Sequence, residues 1–248
     1  RHIDKQLLRP HSTSWITLRP KRLSGKKNIL AGVITGWRVG SLTTMQKAAG
    51  NSRLDTIRQQ VTGLILAGGE ARRFGGQDKG LADYRGRAML WSAIELHQAL
   101  LDKIIINANR NLELYSEFGY PVVPDPDRDF KGPLAGMLAG LQYADTELVY
   151  VTPCDMPKLS IDVLARMYDA LGTSSADLAV ASVAKRIEPV VLLMKQDMAN
   201  SIQCYLDDSG RRTGKWVMQQ NIELVTFDDH PEWFVNINTP EDKLDVSR

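Results

Sequence analysis

A short apolar run that leads directly into a glycine-rich basic segment constrains the fold of this chain more than any other feature of its sequence. The run, Val61–Leu66, has the length and composition of a buried strand. The fourteen residues from Leu66 to Lys79 then contain four glycines, two arginines and a lysine. Glycine lets a backbone turn tightly and approach a ligand closely, because it has no Cβ. We therefore expect a strand followed by a ligand-binding turn.

The turn has the character of an anion site. Its backbone N–H groups can form an anion-binding concavity, and Arg73 and Lys79 add full charges that suit phosphate oxygens. The segment does not match the Walker A pattern, since Gly80 follows Lys79, nor G-x-G-x-x-G, since Gly68 and Gly69 are adjacent. The residues favour binding of a nucleoside triphosphate over the alternative, a glycine-rich surface loop with incidental charges.

From Val61 onward, short β patterns alternate with helical ones, which predicts an α/β fold with a mainly parallel sheet flanked by helices. The strands are predicted at Val61–Leu66, Lys103–Asn107, Val122–Val123, Leu148–Thr152, Leu178–Ser182, Val190–Met194 and Ile222–Thr226. The helices are predicted at Ala88–Leu101, Leu134–Ala144, Ile161–Leu171, Asp197–Leu206 and Thr213–Gln219, with a last short one capped by Thr239. Ligands of open parallel sheets bind beyond the carboxyl ends of the strands, so residues that follow the strands are expected to share one cleft.

Polar residues and glycines follow two more of the predicted strands. Asn107 ends one strand, and its amide can donate to a ribose hydroxyl or a base edge, although a turn asparagine is the alternative. Asp125 follows the next strand and can accept hydrogen bonds from guanine or ribose. Gly132 and Gly136 would let backbone approach a planar base. The alternative for this segment is a stiff loop that leads into a helix with Pro133 in its first turn.

Asp155 follows a further hydrophobic strand and lies between Pro153 and Pro157, so its carboxylate is rigidly placed. Mg²⁺ in such sites prefers one or two carboxylates together with substrate phosphates and waters, so a single aspartate is enough to hold it. A helix cap is the alternative, but Asp155 lies too far upstream of the helix that begins near Ser160. Cys154 is predicted to be a small packed residue, because no histidine is near it in the sequence.

Two segments nearer the C-terminus add candidate binding groups. Alternation of apolar and polar residues from Phe234 predicts a short strand with Asn236 and Asn238 on one face. Taken alone, Asn238 is equally explained as a turn residue. Arg212, beside Arg211, is a candidate for binding an anionic group, although adjacent arginines are usually solvated.

Charge is distributed unevenly along the chain. Of its 31 Lys and Arg and 29 Asp and Glu, eleven and two respectively lie in residues 1–56, so the remainder is mildly acidic. Basic residues clustered beside one glycine-rich turn fit a small anionic ligand better than nucleic acid. Two isolated cysteines cannot form a disulfide framework and are typical of a reducing, cytoplasmic compartment. No apolar run approaches the roughly 18 residues of a membrane span.

Residues 1–56 are interpreted as a basic N-terminal extension and residues 57–248 as the folded domain. The extension has scattered Ser and Thr, few acidic residues and no sustained periodicity, which predicts that most of it is disordered or non-native. Three origins remain open: translated upstream sequence with the native start at Met45, a targeting presequence, or a tail that binds nucleic acid or membrane.

The order and spacing of these motifs resemble the molybdenum cofactor guanylyltransferase family over nearly all of residues 60–246. The motifs are L-A-G-G, R-F-G-G, D-K-G, N-A-N-R, P-D, G-P-L-A-G, P-C-D-M-P, G-R-R and V-N-I-N-T-P. The resemblance implies a Rossmann-like nucleotidyltransferase architecture of the glycosyltransferase-A type. It also implies transfer of GMP from GTP to molybdenum-bearing molybdopterin, with Mg²⁺, which yields the guanine dinucleotide cofactor and pyrophosphate.

Matched motif by motif, the resemblance implies roles for individual residues. Asp155 would hold the metal, while Lys79 and Arg73 would stabilise charge on the departing pyrophosphate. The implied GTP-binding positions are Leu66, Ala67, Gly68, Gly69, Lys79, Asn107, Asp125, Gly132, Gly136 and Asp155, and those toward the molybdopterin are Arg212, Asn236 and Asn238. Implied partners besides the two substrates are other molybdenum cofactor biosynthesis proteins and molybdoenzyme chaperones, without nucleic acid or membrane.

Two other functional interpretations stay open. A cytidylyltransferase or a sugar-phosphate nucleotidyltransferase shares the L-A-x-G turn, but the Gly68-Gly69 pair, where cytidylyl relatives resemble L-A-A-G, favours guanine, as does the G-P-L-A-G segment. The other interpretation is a non-catalytic GTP-binding adaptor that delivers the cofactor. The presence of both Lys79 and Asp155 argues against an adaptor, because such a protein would not need a metal-binding carboxylate.

Overall fold

The computed structural model describes residues 53–68, 78–127 and 132–237. The strands are β1 (Val61–Leu66), β2 (Asp83–Tyr84), β3 (Arg87–Ala88), β4 (Lys103–Asn107), β5 (Val122–Val123), β6 (Leu148–Pro153), β7 (Leu178–Val183), β8 (Arg186–Lys195) and β9 (Ile222–Thr226). The helices are α1 (residues 53–60), α2 (Leu90–Gln98), α3 (Leu112–Ser116), α4 (Pro133–Tyr143), α5 (Ile161–Thr173), α6 (Ala199–Asp207) and α7 (Thr213–Val217). Short 3₁₀ turns lie at Lys79–Leu81, Gln196–Met198 and Pro231–Phe234.

Seven of the strands form one sheet in the order β5-β4-β1-β6-β8-β7-β9. β1 is the third strand in this order, parallel to β4 on one side and to β6 on the other. β8 runs antiparallel to both of its neighbours, β6 and β7, and β9 continues the sheet parallel to β7. The first five residues of β1 are buried, as expected for a strand covered on both faces. The mainly parallel α/β sheet predicted from the sequence is confirmed.

The predicted elements differ from the observed ones mostly in length. β8 extends several residues before the predicted Val190, while α2 is shorter than predicted because Ala88 pairs with Asp83 in the hairpin of β2 and β3. That hairpin, α1 and α3 were not predicted. α1 crosses the boundary predicted at residue 56, and its Arg53 donates to the carbonyl oxygen of Ala165 at 3.0 Å. The helix predicted after Thr239 lies outside the described residues.

Helices cover both faces of the sheet. α4 packs on the centre, and its residues Leu134, Leu138 and Leu141 are buried as the helical spacing predicts. A Cβ at Gly140 would lie only 2.3 Å from Leu64 Cδ2, so glycine at this position lets α4 lie directly against β1. α5 and α1 contribute to a second cluster on which β7 and β9 also pack. No helix in the described part of the chain is long and apolar enough to cross a bilayer.

A buried histidine lies within the core beneath β6. His97 is 1% exposed, and its Nε2 lies 2.9 Å from Thr152 Oγ1. Its ring stacks on Tyr150, with 5.2 Å between ring centroids. Burial lowers the pKa of His97 to about 3, because the charged imidazolium would be stripped of water.

The stability of the protein is therefore expected to decrease as the pH is lowered. The folded-state pKa of His97 is below the ordinary value of 6.5, so between these two values the unfolded chain binds the proton and the folded chain does not. The free energy of unfolding contributed by His97 is fully present above about pH 6.5 and is lost as the pH falls toward 3. The loss is on the order of a few kcal/mol.

Urea denaturation at pH 7, 5 and 4 measures this loss. The His97→Leu variant removes the titrating group but keeps the carboxylates, so its free energy of unfolding should decrease less with pH than that of the wild type. Equal decreases in the two proteins would contradict the assignment.

Candidate active site

The carboxyl ends of four neighbouring strands form one row at the edge of the sheet. Leu66 at the end of β1 is paired in register with Asn107 of β4 and with Pro153 of β6. Asn107 is in turn paired with Val123 of β5. The residues that follow each of these strands therefore emerge side by side, as the sequence predicts for a cleft at this edge.

Beyond the row, the chain after β1 is held by its neighbours on both sides. The backbone N–H of Ala67 donates to the carbonyl of Asn107 at 2.9 Å, and the N–H of Cys154 donates to the carbonyl of Leu66 at 3.1 Å. A Cβ at Gly68 would lie 3.2 Å from Asn109 Nδ2 and 3.3 Å from Asn107 Oδ1. Glycine thus lets the start of the predicted anion-binding turn approach two amide side chains. Two predicted site residues of this turn, Gly69 and Arg73, lie outside the described residues.

Asp125 is held by two asparagines. Asn107 Nδ2 donates to Asp125 Oδ1 at 2.9 Å, and Asn109 Nδ2 donates to Asp125 Oδ2 at 2.9 Å. The backbone N–H of Asp125 completes the arrangement by donating to Asn109 Oδ1 at 2.7 Å. Burial raises the pKa of the Asp125 carboxyl, and the hydrogen bonds from the two amides oppose this shift.

The buried Asn107 has a role within the protein that the sequence did not predict. Its amide nitrogen also donates to the carbonyl of Val123 at 3.0 Å, so both amide hydrogens are engaged within the protein, while ligand binding by Asn107 stays a prediction. A Cβ at Gly136 would lie 2.2 Å from Asn107 Oδ1. The absence of a side chain at Gly136 therefore serves to bring α4 against Asn107, which orients Asp125.

Lys79 and Asp155 form an ion pair across the cleft. Lys79 Nζ lies 2.5 Å from Asp155 Oδ2, and each side chain is 19% exposed. The other oxygen, Asp155 Oδ1, is buried and has no hydrogen-bond partner among the described residues. A buried acceptor left unpaired is costly and usually marks a missing ion or water. The Lys79–Asp155 ion pair connects the end of the glycine-rich turn to the loop after β6.

The donor set at Asp155 fits a Mg²⁺ ion that takes most of its ligands from substrate. No group of three or more His, Cys, Asp or Glu side chains is assembled within the described ranges. Mg²⁺ sites that bind phosphates commonly use one or two carboxylates together with phosphate oxygens and waters. The unpaired Oδ1 of Asp155 would supply the one carboxylate oxygen that this mode needs.

Cys154 is a packed residue and not a nucleophile. It is free and buried, as predicted. Burial, followed by the charge of the adjacent Asp155, raises the pKa of its thiol far above the ordinary value, so the thiolate is not available at neutral pH. The N-cap of α5 is Ser160, whose hydroxyl accepts from the backbone N–H of Asp162, which leaves Asp155 free of a capping role.

The start of α4 borders the cleft next to the arginine pair. Gly132 has a φ of 76°, a region that favours glycine, and Pro133 occupies the first turn as predicted. A Cβ at Gly132 would lie 3.8 Å from the carbonyl oxygen of Arg211. Arg211 is exposed, and its guanidinium donates to the carbonyls of Leu206 and Gly210. The neighbouring Arg212, which precedes α7, is exposed.

The segment after Phe234 is not the short strand that the alternation predicts. Residues 235–237 form no strand, and Ile237 makes one backbone bond, its N–H to the carbonyl of Asp155 at 2.9 Å. This bond places the backbone of Asn236 beside that of Asp155. Asn238 lies outside the described residues.

Sequence reasoning missed several residues of this site. Asn109 belongs to the N-A-N-R motif, and in extended backbone residues two apart point to the same side, which relates it to Asn107. The motifs D-K-G and N-A-N-R also contain Asp78 and Arg110, but they indicate no pairing between the two, and Asn111 and Tyr115 lie outside the motifs. These four meet only because the chain after β4 turns back across the end of β1.

Comparison with solved structures identifies the class of fold. A molybdopterin-guanine dinucleotide biosynthesis protein A from Archaeoglobus fulgidus superposes with a TM-score of 0.65 at 20% identity, covering 75% of this chain and 96% of that one. A nucleotidyl transferase from Methanothermobacter gives a TM-score of 0.59 at 19% identity over 75% and 95% of the two chains. The chain has the nucleotidyltransferase fold. Its cluster of polar residues lies at the carboxyl ends of the parallel strands, where ligands of such sheets bind.

Sequence comparison then narrows the class to a family. Residues 63–223 match the model of the MobA-like NTP transferase domain. The molybdenum cofactor guanylyltransferase of Shewanella halifaxensis is 46% identical over 184 residues, which cover 74% of this chain and 92% of that protein. That of Shewanella frigidimarina is 46% identical over 188 residues, covering 76% and 96%. The chain belongs to the molybdenum cofactor guanylyltransferase family, which confirms the resemblance noted from its motifs.

Proposed function

We propose that this chain transfers GMP from GTP to molybdenum-bearing molybdopterin and releases pyrophosphate. The observation that carries the proposal is the Lys79–Asp155 pair at the carboxyl edge of the sheet, with one buried carboxylate oxygen left unpaired. It combines a cation for phosphate with a ligand for a metal, which a purely GTP-binding adaptor does not need. The names of the relatives at 46% identity support guanylyl transfer over the cytidylyl alternative.

Asp125 is proposed to read the nucleoside. Its two oxygens each accept one amide hydrogen bond, and a carboxylate has about four acceptor positions in all. It therefore retains capacity for the donor-rich edge of guanine or for ribose hydroxyls. The flanking asparagines, backed by Gly68 and Gly136, keep the carboxylate in one orientation.

The reaction needs charge neutralisation more than covalent chemistry. A terminal phosphate oxygen of the molybdopterin attacks the α-phosphorus of GTP, a new P–O bond forms, and the bond to the bridging oxygen of the departing pyrophosphate breaks. Both reactants are anions, so holding them in line and offsetting their charge provides most of the acceleration. Lys79, and Arg73 of the same turn, are proposed to stabilise the charge that develops on pyrophosphate.

Asp155 is proposed to hold Mg²⁺ through Oδ1. When bound there, the ion would neutralise phosphate charge and orient the triphosphate. The cleft offers no activated thiol, since burial keeps Cys154 protonated, in agreement with direct transfer. Binding of the metal and the triphosphate would require Lys79 to share its charge between Asp155 and the phosphates.

The molybdopterin is proposed to lie between the two flanks of the cleft. Arg212 is exposed beside the start of α4, and Asn236 lies next to Asp155 through the bond of Ile237. Asn238, two residues further on, is proposed to act with them. The two free cysteines support a reducing, cytoplasmic setting, in which proteins that make or deliver the molybdenum cofactor would be the partners.

Base selectivity tests the proposal. With molybdenum-loaded molybdopterin present, kcat/KM for pyrophosphate release should be at least about a hundredfold higher with GTP than with CTP or ATP, because a wrong base leaves buried polar groups unpaired. Asp145→Asn, which alters an exposed carboxylate of the Lys103–Asp145 pair, is the matched control and should keep this preference. Equal turnover of CTP would indicate a cytidylyltransferase instead. Binding of GTP without any pyrophosphate release would indicate the non-catalytic adaptor.

A further inference from the structure

A buried carboxylate outside the predicted ligand set lies directly before Lys79. Asp78 is 4% exposed, and it forms an ion pair with Arg110 through Oδ1. Asn111 Nδ2 donates to its other oxygen, Oδ2, at 2.8 Å. These three residues, the Asp78 cluster, join the end of the glycine-rich turn to the loop after β4.

Local conformational preferences are overridden to build the cluster. Asp78 occupies the N-cap of the Lys79–Leu81 turn, yet its carboxylate accepts no capping bond there and only its backbone oxygen accepts from Leu81 N at 3.0 Å. Asn111 has a φ of 49°, in the left-handed region that asparagine tolerates better than most residues. It precedes α3 without capping it, and its amide points to Asp78 instead. Strained positions of this kind persist where surrounding structure requires them.

Tyr115 of α3 packs against both ends of the glycine-rich turn, at Ala67 and at Gly80. Its hydroxyl lies 3.4 Å from the carbonyl oxygen of Ala67, and a Cβ at Gly80 would lie 2.9 Å from that hydroxyl. The residue before Lys79 is therefore fixed by the Asp78 cluster, and the residue after it lies against Tyr115. With the backbone held on both sides, the Lys79 ammonium lies 2.5 Å from Asp155 Oδ2.

We infer that Asp78, Arg110 and Asn111 are positioning residues for Lys79: they hold its backbone so that the ammonium group meets the triphosphate beside Asp155. The inference rests on the proposed function, in which Lys79 acts on the phosphates. It assigns the Asp78 cluster no contact with substrate. Its effect on the reaction passes through Lys79 alone, and this property separates positioning from a general contribution to folding.

A double-mutant cycle on the full chain tests the inference. kcat/KM for GTP is measured for Asp78→Asn and for Asn111→Gly, each in the wild type and in the Lys79→Ala background. Asn111→Gly removes the amide but retains a residue suited to the left-handed backbone. In the wild type, Asp78→Asn should lower kcat/KM about 10- to 100-fold, and Asn111→Gly should lower it less, with the larger part of each loss in kcat. In the Lys79→Ala background, both should change it by less than about twofold.

The controls distinguish this inference from the proposed function. Asp145→Asn breaks an ion pair at the opposite edge of the sheet and should have no effect in either background. If Lys79→Ala is impaired but Asp78→Asn causes the same fold-loss with and without Lys79, the cluster is structural and the inference is overturned, while the proposed role of Lys79 stands. If Lys79→Ala retains wild-type activity, the role of Lys79 fails and the inference fails with it. Should Asp78→Asn not fold, as judged by circular dichroism, Asn111→Gly decides by the same comparison.

Discussion

Replacing Asp155 with alanine is expected to reduce GMP transfer at least about a thousandfold while leaving the fold intact. The change removes the only partner that the described structure shows for a bound metal, and metal stabilisation of phosphoryl charge is worth several kcal/mol. It also removes the Asp155 carboxylate that lies 2.5 Å from Lys79 Nζ. The fold should survive because the bond from Ile237 to Asp155 uses the backbone carbonyl, which alanine keeps.

The matched variants separate charge from shape at this position. Asp155→Asn has nearly the same volume but no charge, so it should lose almost as much activity as alanine. Asp145→Ala removes an exposed carboxylate distant from the cleft and should retain wild-type kcat. Initial rates at saturating Mg²⁺ decide the matter, and near-normal turnover of Asp155→Ala under those conditions would exclude the metal role.

Lys79→Ala is expected to cost about 2–4 kcal/mol of transition-state stabilisation, the range for one preorganised electrostatic group. This corresponds to roughly a 30- to 1000-fold decrease in kcat/KM for GTP. Lys79 is only 19% exposed and its backbone is held on both sides, so its ammonium is organised before substrate arrives. Lys79→Arg should restore activity only in part, because a planar guanidinium cannot occupy the place of a compact ammonium beside Asp155.

A solvated loop lysine would behave differently. Substitutions at such sites usually change stability or activity very little, so both variants would stay within about twofold of the wild type. kcat/KM for GTP measured in Lys79→Ala and Lys79→Arg separates the two explanations. Activity like that of the wild type in Lys79→Ala would contradict the assignment of the triphosphate site.

The sequence predicts the sheet and the place of the site because both follow from local patterns. Continuous apolar runs specify buried parallel strands, and parallel strands bring their carboxyl ends to one edge. The motifs after β1, β4, β5 and β6 therefore had to meet, and Leu66, Asn107, Val123 and Pro153 do lie in one row. Local signals for the start of α4 and for its buried face were equally reliable.

What the sequence did not reveal depends on contacts between distant segments. The hydrogen bonds of Asn107 to Val123 and Asp125 could not be predicted, because these residues adjoin it only once β4 and β5 pair. The alternation after Phe234 has the period of a strand, yet its described residues 235–237 form no strand and contact the loop after β6 through the N–H of Ile237. The pairing within the Asp78 cluster likewise could not be predicted, since a carboxylate in a basic segment gives no indication of which arginine it will pair with.

Identification of the product shows whether the protein joins a guanine nucleotide to a molybdopterin. The purified protein is incubated with GTP, Mg²⁺ and molybdenum-loaded molybdopterin, and the organic product is released and measured by mass spectrometry. We expect a guanine dinucleotide of the pterin, formed together with pyrophosphate, absent when either substrate is omitted and strongly reduced with Lys79→Ala or Asp155→Ala. A cytosine dinucleotide formed preferentially from mixed nucleotides, or no dinucleotide at all from a folded protein that binds GTP, would contradict this expectation.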